Sequence, residues 1–95
     1  MKNLMTIKEL EKLGFEGDAE NMSCEYYGSD VLDYYESDVD ALDDIRQYEN
    51  PVMELVVTIE NGVVIGFSQA YGPSSCEIGV YEEDNLEGVI DWLRK

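Results

Sequence analysis

Val52-Met-Glu-Leu-Val-Val-Thr-Ile-Glu60, then Asn61-Gly62, then Val63-Val-Ile-Gly-Phe-Ser-Gln-Ala-Tyr71 is the stretch on which the fold turns. Two apolar, β-branched runs flank an Asn-Gly pair, and those two residues tolerate the positive φ angles of a two-residue hairpin turn. The stretch therefore reads as an antiparallel β-hairpin. Counting outward from the turn pairs Glu60 with Val63 and Val57 with Gly66. Side chains alternate across a strand, so Met53, Leu55, Val57, Ile59 and Val64 are expected on one face. Val56, Ile65, Phe67 and Tyr71 are expected on the other, diluted by Glu54, Thr58 and Glu60. Both faces carry apolar side chains, so neither is expected to be wholly solvated.

Downstream, Gly72-Pro73 turns the chain, and Ser75–Tyr81 alternates with Cys76, Ile78 and Val80 on one side, which predicts a third strand. Asp84-Asn85-Leu86-Glu87 has the form of a capping box. Leu86, Val89, Ile90 and Leu93 then make a helical stripe with Trp92 beside it. Upstream, Asn50-Pro51 ends a helix expected over Ser37–Glu49, because the residue before proline is pushed out of the α region. Ser37 with Asp40 is expected to cap that helix. Val39, Leu42, Ile45 and Tyr48 fall on its inner half, and Asp40, Asp43, Asp44 and Gln47 on its outer half.

Ser29–Glu36 suits a helix or a strand equally, since Ser29 is a capping residue and the paired tyrosines favour strands. Met22–Tyr27 reads as a short strand ending at Gly28, and Glu16–Asn21 as a loop. At the start, Thr6 and Glu9 form another capping box for a helix that places Ile7, Leu10 and Leu13 on one face and stops at Gly14. Together these elements predict a single α+β domain over residues 1–95. Its antiparallel sheet is built on the hairpin, extended by one strand and packed by three helices, Ile7–Leu13, Asp38–Glu49 and Asn85–Arg94. A chain of this length has a compact radius of gyration of roughly 12 Å.

Charge is the second feature of the sequence. Twenty-two acids stand against six bases, for a net charge of −16 and a pI near 4.1. Between Phe15 and Ile45 there are eleven carboxylates and no Lys, Arg or His. Tyr26, Tyr27, Tyr34 and Tyr35 sit among them as two adjacent pairs. One tyrosine of each pair is expected to fill the core, and the other to face outward among carboxylates that can pair with arginines. A surface this negative is repelled by DNA, RNA and anionic membranes. No apolar run is long enough to span a bilayer. The first residues carry no apolar signal core, so Cys24 and Cys76 are expected as reduced thiols in a cytoplasmic protein.

The absence of histidine removes the usual general base and the commonest transition-metal ligand. No zinc spacing, phosphate loop, dinucleotide fingerprint or nucleophile elbow occurs. Asp38-x-Asp40 with Asp43 and Asp44 invites a calcium reading, but the sixth loop position, which needs Gly, is Asp43, and a helical pattern claims the same residues. No cofactor, metal or catalytic residue is therefore expected. Solubility alone does not call for such a charge, because a magnitude of about 2–8 suffices for small domains. Salt adaptation fits poorly with four lysines against two arginines. A third explanation is mimicry of a polyanion. At one charge per about 1.7 Å of duplex, eleven carboxylates match roughly 19 Å of DNA.

In size, acidity and lack of histidine the whole chain resembles the small DNA-mimicking inhibitors of phages and mobile elements, the anti-CRISPR and anti-restriction class. That resemblance implies a non-catalytic protein that occupies the basic, nucleic-acid-binding surface of a nuclease or effector complex. The expected partner-binding residues are Glu25, Tyr27, Asp30, Asp33, Tyr35, Glu36, Asp40, Asp43 and Asp44. A narrower likeness lies in Glu25-Tyr26-Tyr27-Gly28 followed by Asp40-Ala41-Leu42-Asp43, which is similar to the tyrosines and acidic helix of the barstar family of ribonuclease inhibitors. Here the two pieces lie further apart than in that pattern, and an Asn-Gly hairpin does not suit its parallel sheet. The alternative class is an immunity protein or antitoxin that caps a basic toxin nuclease, and a third is a housekeeping acidic module. The apolar second face of the hairpin, with Val56, Ile65, Phe67 and Tyr71, adds the expectation of a homodimer or a partner contact through the sheet.

Overall fold

The computed structural model describes residues 5–75, 78–82 and 86–95. Its elements are α1 (Ile7–Lys12), β1 (Glu16–Gly17), β2 (Asn21–Tyr27), α2 (Ser29–Tyr34), α3 (Val39–Ile45), β3 (Pro51–Glu60), β4 (Val63–Pro73), β5 (Gly79–Glu82) and α4 (Leu86–Leu93). The strands form one antiparallel sheet in the order β1-β2-β3-β4-β5. The fold is thus α+β around the expected hairpin, with a Cα radius of gyration of 13.1 Å.

The turn forms as its residues require. Asn61 (φ 54°) and Gly62 (φ 81°) both adopt positive φ, and Glu60 pairs with Val63. Two residues further in, the register departs from simple counting. Ile59 opposes Val64, but Thr58 opposes Gly66, so Ile65 is an extra residue on β4. This bulge moves every later β4 side chain to the opposite face, so Val57 pairs with Phe67 rather than with Gly66. Phe67, Gln69 and Tyr71 therefore share a face with Val57, Leu55 and Met53. The physical reason is burial: enclosing a Phe side chain is worth roughly 1.5–3 kcal/mol, more than one lost ladder hydrogen bond at about 1 kcal/mol.

All four helices pack on that inner face. Met5, Leu10, Phe15, Val89, Ile90 and Leu93 join Met22, Leu55, Val57, Ile59, Val64 and Phe67 in one cluster. Val31, Tyr35, Ala41, Leu42 and Ile45 join Met53 in a second. Among the described residues, no helix covers the other face of the sheet. The four apolar residues expected together on that face do not share it, because Phe67 is buried and Tyr71 is half-buried on the helix side. Val56 and Ile65 remain on the open face, joined by Tyr27 and Val80.

Local differences from the expected elements have local causes. Glu16–Gly17, expected in a loop, pairs with Met22–Ser23 as β1. A Cβ at Gly17 would stand 2.2 Å from the Asn21 carbonyl oxygen, so only glycine permits this close return. Residues 29–34 are helical because the i, i+4 spacing of Val31 and Tyr35 buries both against Met53. Gly28, not Ser29, occupies the capping position, without a side-chain cap bond. In α3 the cap is Asp38 rather than Ser37 or Asp40, its carboxylate accepting from the Ala41 N–H at 3.1 Å. That helix ends at Ile45 rather than Glu49, and Val39, expected inside, is 70% exposed at its first turn.

The third strand of the expectation spans Gly79–Glu82 instead of Ser75–Tyr81, and its Val80 is exposed on the open face. Cys76 and the capping residue Asp84 lie outside the described residues. At the other end of the chain, Thr6 caps α1 as expected, accepting from the Glu9 N–H at 3.4 Å. The Glu9 carboxylate turns instead to Arg94 near the end of α4, which donates to it from Nε at 2.6 Å and Nη2 at 2.8 Å.

Candidate functional site

The acids expected to bind a partner occupy three places. Glu25 and Tyr27 lie on the open face of the sheet, where the 55%-exposed Tyr27 hydroxyl donates to the Glu25 carboxylate at 2.7 Å. That hydrogen bond raises the pKa of Tyr27 above its ordinary value. Asp40, Asp43 and Asp44 project from the solvent side of α3, opposite the buried Ala41, Leu42 and Ile45. Asp30, Asp33 and Glu36 line a groove between α2 and α4. Tyr35 departs from the expectation. It is 3% exposed within the core, and its neighbour Tyr34 is the half-buried member of the pair.

The groove follows from the chain's own geometry. Gly28, with φ 57°, turns the chain straight from β2 into α2, so α2 starts at the end of the sheet where β2 leaves Tyr26 on the inner face. The stripe of α4 lies on the sheet and carries Trp92 to Tyr26 and to Tyr34. Their ring centroids are 4.9 and 4.8 Å apart, with interplanar angles of 72° and 80°. Edge-to-face contacts continue from Tyr26 to Phe15 and from Tyr34 through Tyr35 to Tyr71, so one aromatic chain links the two halves of the core. Two adjoining depressions of about 510 and 570 Å³ open above it. They share Asp33, Glu36, Trp92 and Lys95. Among the described residues, five acids, Asp30, Asp33, Glu36, Asp38 and Asp91, surround them with Lys95 as the one base in the lining.

Burial raises the pKa of Tyr26 far above the ordinary tyrosine value, with Cys24 and then Asp30 adding to the effect, so its hydroxyl stays protonated. Lowered carboxyl values occur elsewhere, at Glu9 through its hydrogen bonds from Arg94 and at Asp18 through the N–H groups of Asn21 and Glu20. Among the described residues, only two carboxylates form ion pairs. Glu9 pairs with Arg94 at 2.6 Å, and Asp43 lies 4.0 Å from Arg46. Among the described residues, the other acids of α2 and α3 have no base within ion-pair distance. Among the described residues no group of three or more Cys, Asp or Glu is arranged to hold a metal ion, and no helix is long and apolar enough to cross a membrane.

The groove also draws on residues outside the expected partner-binding set: Tyr26, Tyr34, Asp38, Asp91, Trp92 and Lys95. Trp92 is the only tryptophan of the chain and sits beside, rather than on, the apolar stripe of its helix. That placement was the available signal. Compared with known proteins, the chain matches no family model, no curated protein and no solved structure.

Proposed function

We propose that this protein is a non-catalytic inhibitor that binds the basic, nucleic-acid-binding surface of another protein, as DNA-mimicking anti-CRISPR and anti-restriction proteins do. The observation that carries the reading is the exposed acid set of α2 and α3. Asp30, Asp33, Glu36, Asp40 and Asp44 are exposed, and none has an ion-pair partner among the described residues. Unneutralised charge of one sign destabilises a compact chain by self-repulsion, and a cationic partner relieves that repulsion. The dimensions agree with such a role. The molecule measures 38 × 25 × 20 Å, and its eleven acids between Phe15 and Ile45 correspond to roughly 19 Å of duplex by charge.

The test is displacement of labelled duplex DNA from purified basic nucleases, read by fluorescence anisotropy. The panel includes an RNA-guided nuclease, a restriction endonuclease and a toxin ribonuclease, the last with labelled RNA. The protein is expected to displace nucleic acid from at least one of them, with an affinity that falls as salt rises. Replacing Asp40, Asp43 and Asp44 together by Asn should weaken the displacement, mainly through a slower on-rate, while the melting temperature is held or raised. No displacement from any member at low salt, with the acidic protein in excess, would remove the reading. Displacement untouched by the triple replacement would move the site off α3.

A further inference from the structure

We propose that the groove between α2 and α4 is the anchor of that partner site and seats an arginine side chain of the partner protein, its guanidinium lying against Trp92 between Asp33 and Glu36. This rests on the reading of the acidic surface given above and names the chemistry that it recognises. Three observations converge on it. Among the described residues, five acids and one lysine line the groove, so its occupant is a cation. The floor is aromatic: Trp92 and Tyr34 are half-buried, and both border the groove. Carboxylates alone would suit a metal ion, but no metal-holding group is present among the described residues, and an aromatic floor adds nothing for a hard, hydrated ion.

An aromatic face beside carboxylates suits a guanidinium better than an ammonium. Arginine is planar, more weakly hydrated, stacks on rings and pairs with carboxylates through a two-pronged fork. Lysine offers a compact, strongly hydrated charge without a face. The depressions, about 510 and 570 Å³, exceed what one side chain fills, which leaves room for the backbone of the segment that carries it. A protein loop or helix is therefore the occupant, rather than a free polyamine. Buried aromatic and arginine contacts are also where binding energy concentrates in protein interfaces. Trp92 would then be the residue of this surface most sensitive to substitution, although it carries no charge.

Trp92 is the single tryptophan, so its emission reports on the groove alone. The experiment titrates the intact protein with end-blocked hexa-arginine, with hexa-lysine and with spermine, following both Trp92 emission and affinity by calorimetry. Hexa-arginine is expected to bind at least about threefold tighter than hexa-lysine, and to shift or quench the emission where hexa-lysine does not. Asp33→Asn with Glu36→Gln should abolish that preference. Glu11→Gln with Glu16→Gln removes the same charge outside this groove, and should lower both affinities while keeping their ratio. Equal affinities for the two peptides with unmoved emission would overturn the proposal. So would spermine matching hexa-arginine in both readouts. Circular dichroism of each variant establishes that it is folded, and Trp92→Phe, read by calorimetry alone, gives a second measure of the ring's part in the preference. Arginine selectivity in the groove without displacement of DNA from nucleases would uphold this site and remove the inhibitor reading. Displacement without selectivity would do the reverse.

Discussion

Replacing Gln69 by Met should make this protein more stable. Gln69 lies on the inner face of β4, between Leu55 of β3 and Tyr81 of β5, and is 2% exposed. Neither its amide nitrogen nor its amide oxygen has a hydrogen-bond partner among the described residues. A buried polar group left unpaired forfeits its hydration without replacement, at about 1–3 kcal/mol. Both atoms belong to one side chain, so about 2 kcal/mol is the expected gain when Met takes the place. Met is unbranched and of similar length, so it can follow the path of the glutamine without overpacking. In a domain of this size each kcal/mol moves the melting temperature by about 4–8 °C, so the rise should be roughly 8–16 °C. Urea unfolding followed by circular dichroism measures the change, with the midpoint moving up and the slope unchanged. Gln69→Glu is the contrasting variant and should lose stability at neutral pH, since it sets a charge in the same dry place. A Gln69→Met protein that is less stable than the parent by 1 kcal/mol or more, about half of the predicted gain in the opposite direction, would refute the reasoning. It would show the amide to be hydrogen-bonded in solution, through an internal water.

Two further outcomes are expected. The protein should form no complex with DNA or RNA in a gel-shift at physiological salt even in excess, because like charges repel, and a robust shift would end the polyanion reading. The Glu9–Arg94 pair should leave a pH signature. Hydrogen bonding from Arg94 holds the Glu9 carboxyl below its ordinary value, so the pair's contribution is present above the unfolded value and is lost as pH falls through the folded one. Glu9→Gln should therefore lower the melting temperature slightly at neutral pH and not at all in acid, the effect being small because both side chains are about one-third exposed. A difference that persists unchanged in acid would show that the pair contributes nothing through its charge.

The sequence by itself determined the elements whose signals are local. Asn61-Gly62 made the hairpin, because few other pairs take two positive φ angles in succession. Thr6 at the head of α1, and Leu86, Val89, Ile90 and Leu93 along α4, were equally legible from capping and spacing. So was the charge, which is a count. What the tertiary structure alone decided are choices between local options of similar energy. Residues 29–34 suited helix or strand, and packing of Val31 and Tyr35 against Met53 selected the helix. The bulge at Ile65 is silent in turn arithmetic, yet it carried Phe67 and Tyr71 to the covered face, away from Val56 and Ile65. The groove is the clearest case. Tyr26, Tyr34 and Trp92 come from β2, α2 and α4, and no spacing in the sequence records that they meet. Their meeting is fixed by helices that share one face of a sheet, a long-range condition in which burial of the aromatic rings outweighs the repulsion of the acids around them.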